Sequence, residues 1–317
     1  MIYHPLGKTG MQVSTIGFGA SALGDVFGSI TPEVAGATVQ HAIDCGINFF
    51  DVSPYYGVTL AEERLGNALQ GRRHEVLLAT KCGRYGYNHF DFSAATITRG
   101  LDDSLRRLRT DYVDLLQVHD VEFGSIEYIL QETLPAMRDL QLKGKVRMIG
   151  ITGYWPELLA RMLRQVRVET VLNYCHSNLL MDDMDRELTP VATELGVGLI
   201  NASPLHMGLL GGGPVAEWHP APSAIKNAAA KIVALCEEHG VRPAVVALNQ
   251  CLSHPAVATT LVGFRSVEEI DDALRALEDL HSPKLMQEIM AIVEPIKNST
   301  WASGLAENQP ASHSTAL

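Results

Sequence analysis

Four residues of the kind that move protons stand at the ends of three apolar runs. Asn48-Phe49-Phe50-Asp51 leads into Val52-Ser53-Pro54-Tyr55-Tyr56-Gly57, Val76-Leu77-Leu78-Ala79-Thr80 ends in Lys81, and Val113-Asp114-Leu115-Leu116-Gln117-Val118 ends in His119. An apolar run that closes on a polar residue and a turn reads as a buried strand delivering that residue to its exit. A tyrosine exchanges protons near neutral pH only if its pKa, about 10 unperturbed, is brought down. An ammonium about 4 Å away is worth on the order of 4 kcal/mol at an effective dielectric near 20, or roughly three pKa units. The expected roles follow. Tyr56 transfers the proton, Lys81 acidifies it, Asp51 holds Lys81 charged and aimed, and neutral His119 hydrogen-bonds the reacting oxygen. Singly, each has a plain alternative: an ion pair, a loop aromatic, a satisfied core histidine.

Strand and helix patterns alternate through the chain. Strands are expected near 15–19, 47–51, 75–81, 112–119, 146–151, 169–175, 197–202 and 256–262. Helices are expected between them: one capped by Thr31 with Pro32 at its first position, then near 60–70, 93–108, 125–142, 156–165, 184–195, 223–252 and 266–280. Mostly continuous apolar strands, each followed by a helix, predict a parallel sheet buried on both faces. The closed form is a (β/α)8 TIM barrel, whose chemistry lies at the C-terminal strand ends; an open doubly wound sheet is the competitor. A hairpin turning at Gly7-Lys8-Thr9-Gly10 precedes the barrel, and an extra helix near 283–296 follows it. The domain expectation is one unit over 1–297 and a polar C-terminal tail over 298–317, with Trp301 able to fold back on an apolar surface.

The 317 residues carry a formal charge of −11, which argues against nucleic acid or an anionic membrane as partner. No apolar run approaches a membrane span, and five cysteines without a C-x-x-C pair read as reduced thiols of a cytoplasmic protein. Gly17-Phe18-Gly19-Ala20-Ser21-Ala22 fits G-x-G-x-x-G/A, but Gly24, Gly28 and Pro32 deny it the helix that a dinucleotide fingerprint needs. His119-Asp120-Val121-Glu122 lacks further metal ligands at other strand ends, so no metal is expected.

Asp51, Tyr56-Gly57, Lys81 and His119 resemble the tetrad of the aldo-keto reductases, (β/α)8 enzymes that use a nicotinamide cofactor without metal. The resemblance spans nearly the whole chain. It implies cofactor contacts from Gly19 and Asp51, from Thr152 and Gly153 after the fifth strand, and from Asn173 on the sixth. It further implies Ser203, Leu205, Gly208 and Leu209 after the seventh strand, and Gly263, Phe264, Arg265, Glu269 and Asp272 after the eighth. Where the family often stacks a tyrosine on the nicotinamide this chain has Ala202, and where it often binds the carboxamide with glutamine it has Leu172 or Asn173, leaving Thr152 for that contact. Where NADP-using members place Lys and Arg it has Gly263 and Glu269, so NAD is expected over NADP.

Within the family the likeness is to the aldose 1-dehydrogenases. It is carried by Lys81-Cys82-Gly83-Arg84-Tyr85, His119-Asp120-x-Glu122-Phe123-Gly124-Ser125, Tyr174-Cys175-His176 and Glu217-Trp218-His219-Pro220. It implies oxidation of the anomeric carbon of a small sugar to the lactone, L-galactose first and L-fucose or another D-threo-aldose next. Tyr56 and His119 would touch that sugar, and Tyr55, Tyr85, Trp155, His176, Trp218 and Trp301 are candidates for its walls. The rival readings are a pyridoxal dehydrogenase or general aldehyde and ketone reductase, a redox-sensing nicotinamide-binding module, and a barrel lyase or isomerase.

Overall fold

The computed structural model describes residues 1–278 and 282–311. Eight parallel strands carry the fold: β1 (Ile16–Gly19), β2 (Phe49–Asp51), β3 (Leu77–Cys82), β4 (Val113–Val118), β5 (Val146–Gly153), β6 (Thr170–Tyr174), β7 (Gly198–Ala202) and β8 (Thr259–Gly263). They close into a barrel in which each strand lies beside its sequence neighbours and β8 pairs with β1. Both strand faces are buried, and the two-residue period assigns them to different cores. Phe49, Ala79, Leu115, Leu172, Ile200 and Leu261 fill the barrel interior. Phe50, Leu78, Leu116, Val171 and Val262, one step out of phase, pack under the helices. The leading hairpin, Tyr3–Pro5 paired with Gln12–Ser14, joins Leu6 and Val13 to the interior cluster and so plugs the N-terminal end.

That phase places the chemistry. Asp51 stands two residues beyond Phe49, Lys81 two beyond Ala79, and Gln117 and His119 two and four beyond Leu115. They form the top layer of the inward rows, at the C-terminal mouth.

The first helix runs Pro32–Asp44 with Thr31 Oγ1 accepting from Val34 N at 3.3 Å, as the sequence predicts. Several expected helices are divided. The region 125–142 becomes Ile126–Tyr128, a π turn over Ile129–Thr133, and Leu134–Leu142. Pro135 within it has no N–H for a regular ladder. Pro190 and Pro243 sit in the first turns of the second halves of the two other split helices, Thr189–Leu195 and Pro243–Leu252. Of the helix expected over 266–280, Val267–Arg275 is formed, and 279–281 lie outside the described residues. A small side hairpin, Arg84–Gly86 with His89–Phe90, was not foreseen. Residues 300–309 are not a loose tail: they bond back onto the mouth through Glu122, Tyr154 and Trp155. Residues 312–317 lie outside the described residues.

Candidate active site

Asp51 ends β2, and the loop behind it brings Tyr56 back over β3. Gly24 and Gly57 allow that loop its path. A Cβ on Gly57, at φ 62°, would lie 2.3 Å from the Gly24 carbonyl oxygen. Lys81 then spends its three N–H donors on Asp51 Oδ1, on the Val52 carbonyl at 3.1 Å and on the Tyr56 oxygen at 3.2 Å. Gln117 Nε2 donates to the other Asp51 oxygen at 2.8 Å. Because Tyr56 accepts from Lys81, its own hydroxyl hydrogen is left for the mouth. The Tyr56 ring stands edge-on to His119, centroids 5.7 Å apart. Ser53 Oγ lies 3.0 Å from His119 Nδ1 and accepts from Tyr55 N; we assign its hydroxyl hydrogen to Nδ1, the tautomer that puts the ring proton on Nε2 toward the mouth. Gln117 and Ser53 were not singled out from sequence. Gln117 had a signal, a polar residue in an apolar strand two places before His119, on the same face.

Burial sets the protonation states. It pushes His119 down to about 3, with Lys81 and Arg84 adding to the shift against the pull of Asp120, so the ring is neutral. Burial would also lower Lys81, but Asp51 and Tyr56 outweigh it and hold the ammonium above the ordinary lysine value. Tyr56 departs from the expectation of an acidified phenol. Burial raises its pKa by more than Lys81 lowers it, and the Asp51 carboxylate cancels part of that lowering. At rest Tyr56 is a protonated phenol.

Beyond the four, Arg84 lies flat on the Tyr55 ring at 3.8 Å and pairs with Asp120, whose Oδ2 is 3.7 Å from His119 Nε2. Asp120 takes φ 53°, its N–H held by Thr152 Oγ1 at 3.0 Å. Glu122, fully buried, accepts at Oε1 from Tyr154 N and the Tyr174 hydroxyl, both at 3.2 Å, while Oε2 has no partner among the described residues. Its backbone oxygen accepts from Leu305 N and Asn308 Nδ2, each at 2.9 Å, tying down the C-terminal segment. Burial and the charge of Asp120 push the Glu122 carboxyl up to about 8. The folded state thus keeps a proton that the unfolded chain releases, and stability falls as pH rises from about 4.5 to about 8. Glu122→Gln is expected to remove that decline, on the order of 1 kcal/mol per pH unit, in Tm measured across this window.

The opposite wall of the mouth is bare. The inward positions at the ends of β7, β8 and β1 are Ala202, Gly263 and Gly19, which leave a floor of backbone beside Asp51, the register partner of Gly19. A Cβ on Gly263 would find no heavy atom closer than 3.8 Å and would fill this space.

Residues 15–294 match the model of the aldo/keto reductase family. The chain belongs to the aldo/keto reductase family. It is 44% identical over 313 residues to a protein of Arabidopsis thaliana named L-galactose dehydrogenase, with 96% of this chain and 98% of that one covered. It is 30% identical to D-arabinose 1-dehydrogenase of Saccharomyces cerevisiae, over 84% of this chain and 86% of that one. The solved structure of an aldo-keto reductase from Bacillus halodurans in its holo form superposes with a TM-score of 0.76 at 27% identity, covering 96% of this chain and 98% of that one.

As an aldo-keto reductase the chain uses a nicotinamide cofactor. The residues expected to hold the cofactor divide. Thr152 faces the interior, but its hydroxyl oxygen already accepts from Asp120 N. Asn173 is out of phase with Leu172 and Tyr174, and its amide donates to the Gly153 and Tyr154 carbonyls, a strand-end tie. Ser203, at φ 55°, opens a tight loop through Leu205 to Gly208 and Leu209. Phe264 packs under the helices against Phe18. Arg265 is paired with Glu269 and also donates to the Phe27 carbonyl at 3.1 Å. Asp272 is clamped by Arg242 and Arg275, which gives it a structural task.

Of the wall candidates, Tyr55 lies beside His119, centroids 5.8 Å apart. Tyr85 packs on the side hairpin and the helix Ala94–Leu108, contacting His89 and Gly100. Trp155 is 2% exposed and donates to the Ser303 carbonyl at 2.8 Å, anchoring the C-terminal segment from beneath. His176 is buried against Tyr154 with Nδ1 on Asp183. Trp218 packs on Phe27, and Trp301 packs on Tyr154, His206 and His219. A polar cleft of about 430 Å³ lined by Asp114 and Arg147 lies at the N-terminal end and includes no tetrad residue. Among the described residues His41, Cys45 and Asp271 bring metal-ligand types together, but on helices outside the barrel, with His41 Nε2 bonded to Asp271 at 2.8 Å.

Proposed function

We propose that the protein oxidises the anomeric C–OH of a small neutral aldose to its aldonolactone, with NAD as cofactor and L-galactose as the first sugar to test. The observation that carries this reading is the cluster of Tyr56, Lys81, Asp51 and His119 beside strand ends that carry only Ala202, Gly263 and Gly19. When bound, oxidised nicotinamide supplies the hydride acceptor and a positive charge at the mouth. His119 donates from Nε2 to the anomeric oxygen and orients it. Tyr56 Oη takes the hydroxyl proton as general base while the C1–H bond breaks and the C1=O bond forms, and Lys81 stabilises the phenolate. Tyr174, inward and in register with Ala202, is the aromatic placed to cover the ring where the family's usual tyrosine is missing.

Charge favours a neutral substrate. Among the described residues the cations beside the tetrad, Lys81 and Arg84, are both paired to carboxylates, which leaves neither free for a phosphate or acid. The sugar names of the Arabidopsis and Saccharomyces relatives support the same class. The test follows NADH absorbance with L-galactose, L-fucose, D-arabinose and pyridoxal. Turnover of pyridoxal with none of the sugars would remove the aldose reading.

The NAD preference rests on Glu269, which accepts from Arg265 N at 2.7 Å and from its guanidinium, so Arg265 is already neutralised. Glu269→Gln is expected to raise kcat/KM for NADP relative to NAD by about 10-fold, or about 1.4 kcal/mol. An unchanged ratio in initial-rate measurements would count against that role.

A further inference from the structure

We infer that Asp120, braced by Arg84, reads the hydroxyl on the carbon next to the reacting one and so makes the site selective for 2-hydroxy aldehydes and their cyclic forms. This inference rests on the aldose reading and deepens it.

Three observations carry it. First, Asp120 stands beside His119, with Oδ2 3.7 Å from Nε2, and both side chains are nearly buried there. Second, its carboxylate is aimed rather than idle. The left-handed backbone at φ 53° turns it beside His119, and two hydrogen bonds hold the turn, Asp120 N to Thr152 Oγ1 at 3.0 Å and Phe123 N to Asp120 O at 3.0 Å. A non-glycine residue kept in this region by its surroundings is a common mark of a functional position. Third, the acceptor capacity is left open. Arg84 donates to Oδ2, while Oδ1 makes no hydrogen bond among the described residues. That oxygen is left free to accept from a ligand hydroxyl.

The spacing selects the ligand. The donor His119 Nε2 and the nearer carboxylate oxygen, Asp120 Oδ2, are 3.7 Å apart, and Oδ2 keeps a second lone pair beside the one that accepts from Arg84. Vicinal oxygens of a sugar lie roughly one hydrogen-bond length apart. The reacting oxygen can therefore accept from Nε2 while the neighbouring hydroxyl donates to the carboxylate. An aldehyde without that hydroxyl leaves Asp120 unanswered. Arg84 resists any swing of the carboxylate toward His119, because it is itself pinned on Tyr55 at 3.8 Å and lies near Phe90 and Phe123 at 5.1 and 5.4 Å.

The test compares matched substrates in wild type, Asp120→Ala and Asp120→Asn. Oxidation of D-arabinose is measured against 2-deoxy-D-ribose, and reduction of glyceraldehyde against propionaldehyde. Wild type is expected to prefer the 2-hydroxy member by about 10- to 100-fold in kcat/KM, the size of a hydrogen bond to a charged acceptor. Asp120→Ala should bring the preference to within about threefold. Asp120→Asn, which keeps an acceptor oxygen and the side-chain shape, should retain part of it and serves if the alanine variant does not fold. A wild-type ratio near one, or variants that slow both members of a pair equally, would overturn the inference. Glyceraldehyde preferred over propionaldehyde in an enzyme that oxidises no sugar would overturn the aldose reading and leave the Asp120 contact standing.

Discussion

With Tyr56 replaced by phenylalanine, kcat for sugar oxidation is expected to fall by about 100- to 10,000-fold, the range for loss of a positioned acid–base group. The ring itself is retained, so the edge contact with His119 and the loop path past Gly24 survive. Cofactor affinity, followed by fluorescence titration, should stay within about twofold, because an interaction made mainly in the transition state lowers kcat and leaves ground-state binding alone. Wild type should also show opposite pH slopes in the two directions. Oxidation needs the phenolate, and burial holds the phenol above its ordinary pKa, so its rate climbs with pH. Reduction needs the phenol itself, so its rate holds and then drops as pH passes the same pKa. Tyr56→Phe should lose both limbs. Near-wild-type kcat in the variant would put the proton on another residue.

How much of this was legible beforehand depends on which interactions are local. The barrel was readable because eight strands buried on both faces leave eight apolar runs, and each exits into a turn. Asp51, Lys81 and His119 were readable for the same reason, as polar residues that end such runs on the inward phase. The protonation of Tyr56 was not. Sequence can nominate the nearest cation, but the cost of burying the phenol depends on everything packed around it, and here that cost is the larger effect. Trp155, His176 and Asp272 looked available as exposed types in loops or near helix starts. Their partners, Ser303, Asp183 and the pair Arg242 and Arg275, are tertiary matches with no periodic signal. The same holds for Glu122: the C-terminal segment that covers it joins residues more than 180 positions apart.

Lys81→Met should be the more damaging change because it strikes stability and chemistry together. Lys81 and Asp51 are 2% and 3% exposed, so removing the ammonium leaves a buried carboxylate that, among the described residues, only Gln117 bonds. Breaking a buried pair from one side costs about 3–5 kcal/mol, which urea denaturation can measure. Tyr56 loses the donor at 3.2 Å, and its phenolate loses the one cation touching it. By the Coulomb estimate the alkaline limb of oxidation should move upward by as much as roughly three units, with kcat at neutral pH down by about 1,000-fold. The double variant Asp51→Asn with Lys81→Met separates the two effects. It removes the orphaned charge together with its partner, so most of the stability should return, whereas the rate should not, since the phenolate still lacks its ammonium. Recovery of both would mean that Lys81 acts only through packing around Asp51. Recovery of stability alone would assign the ammonium to the phenolate.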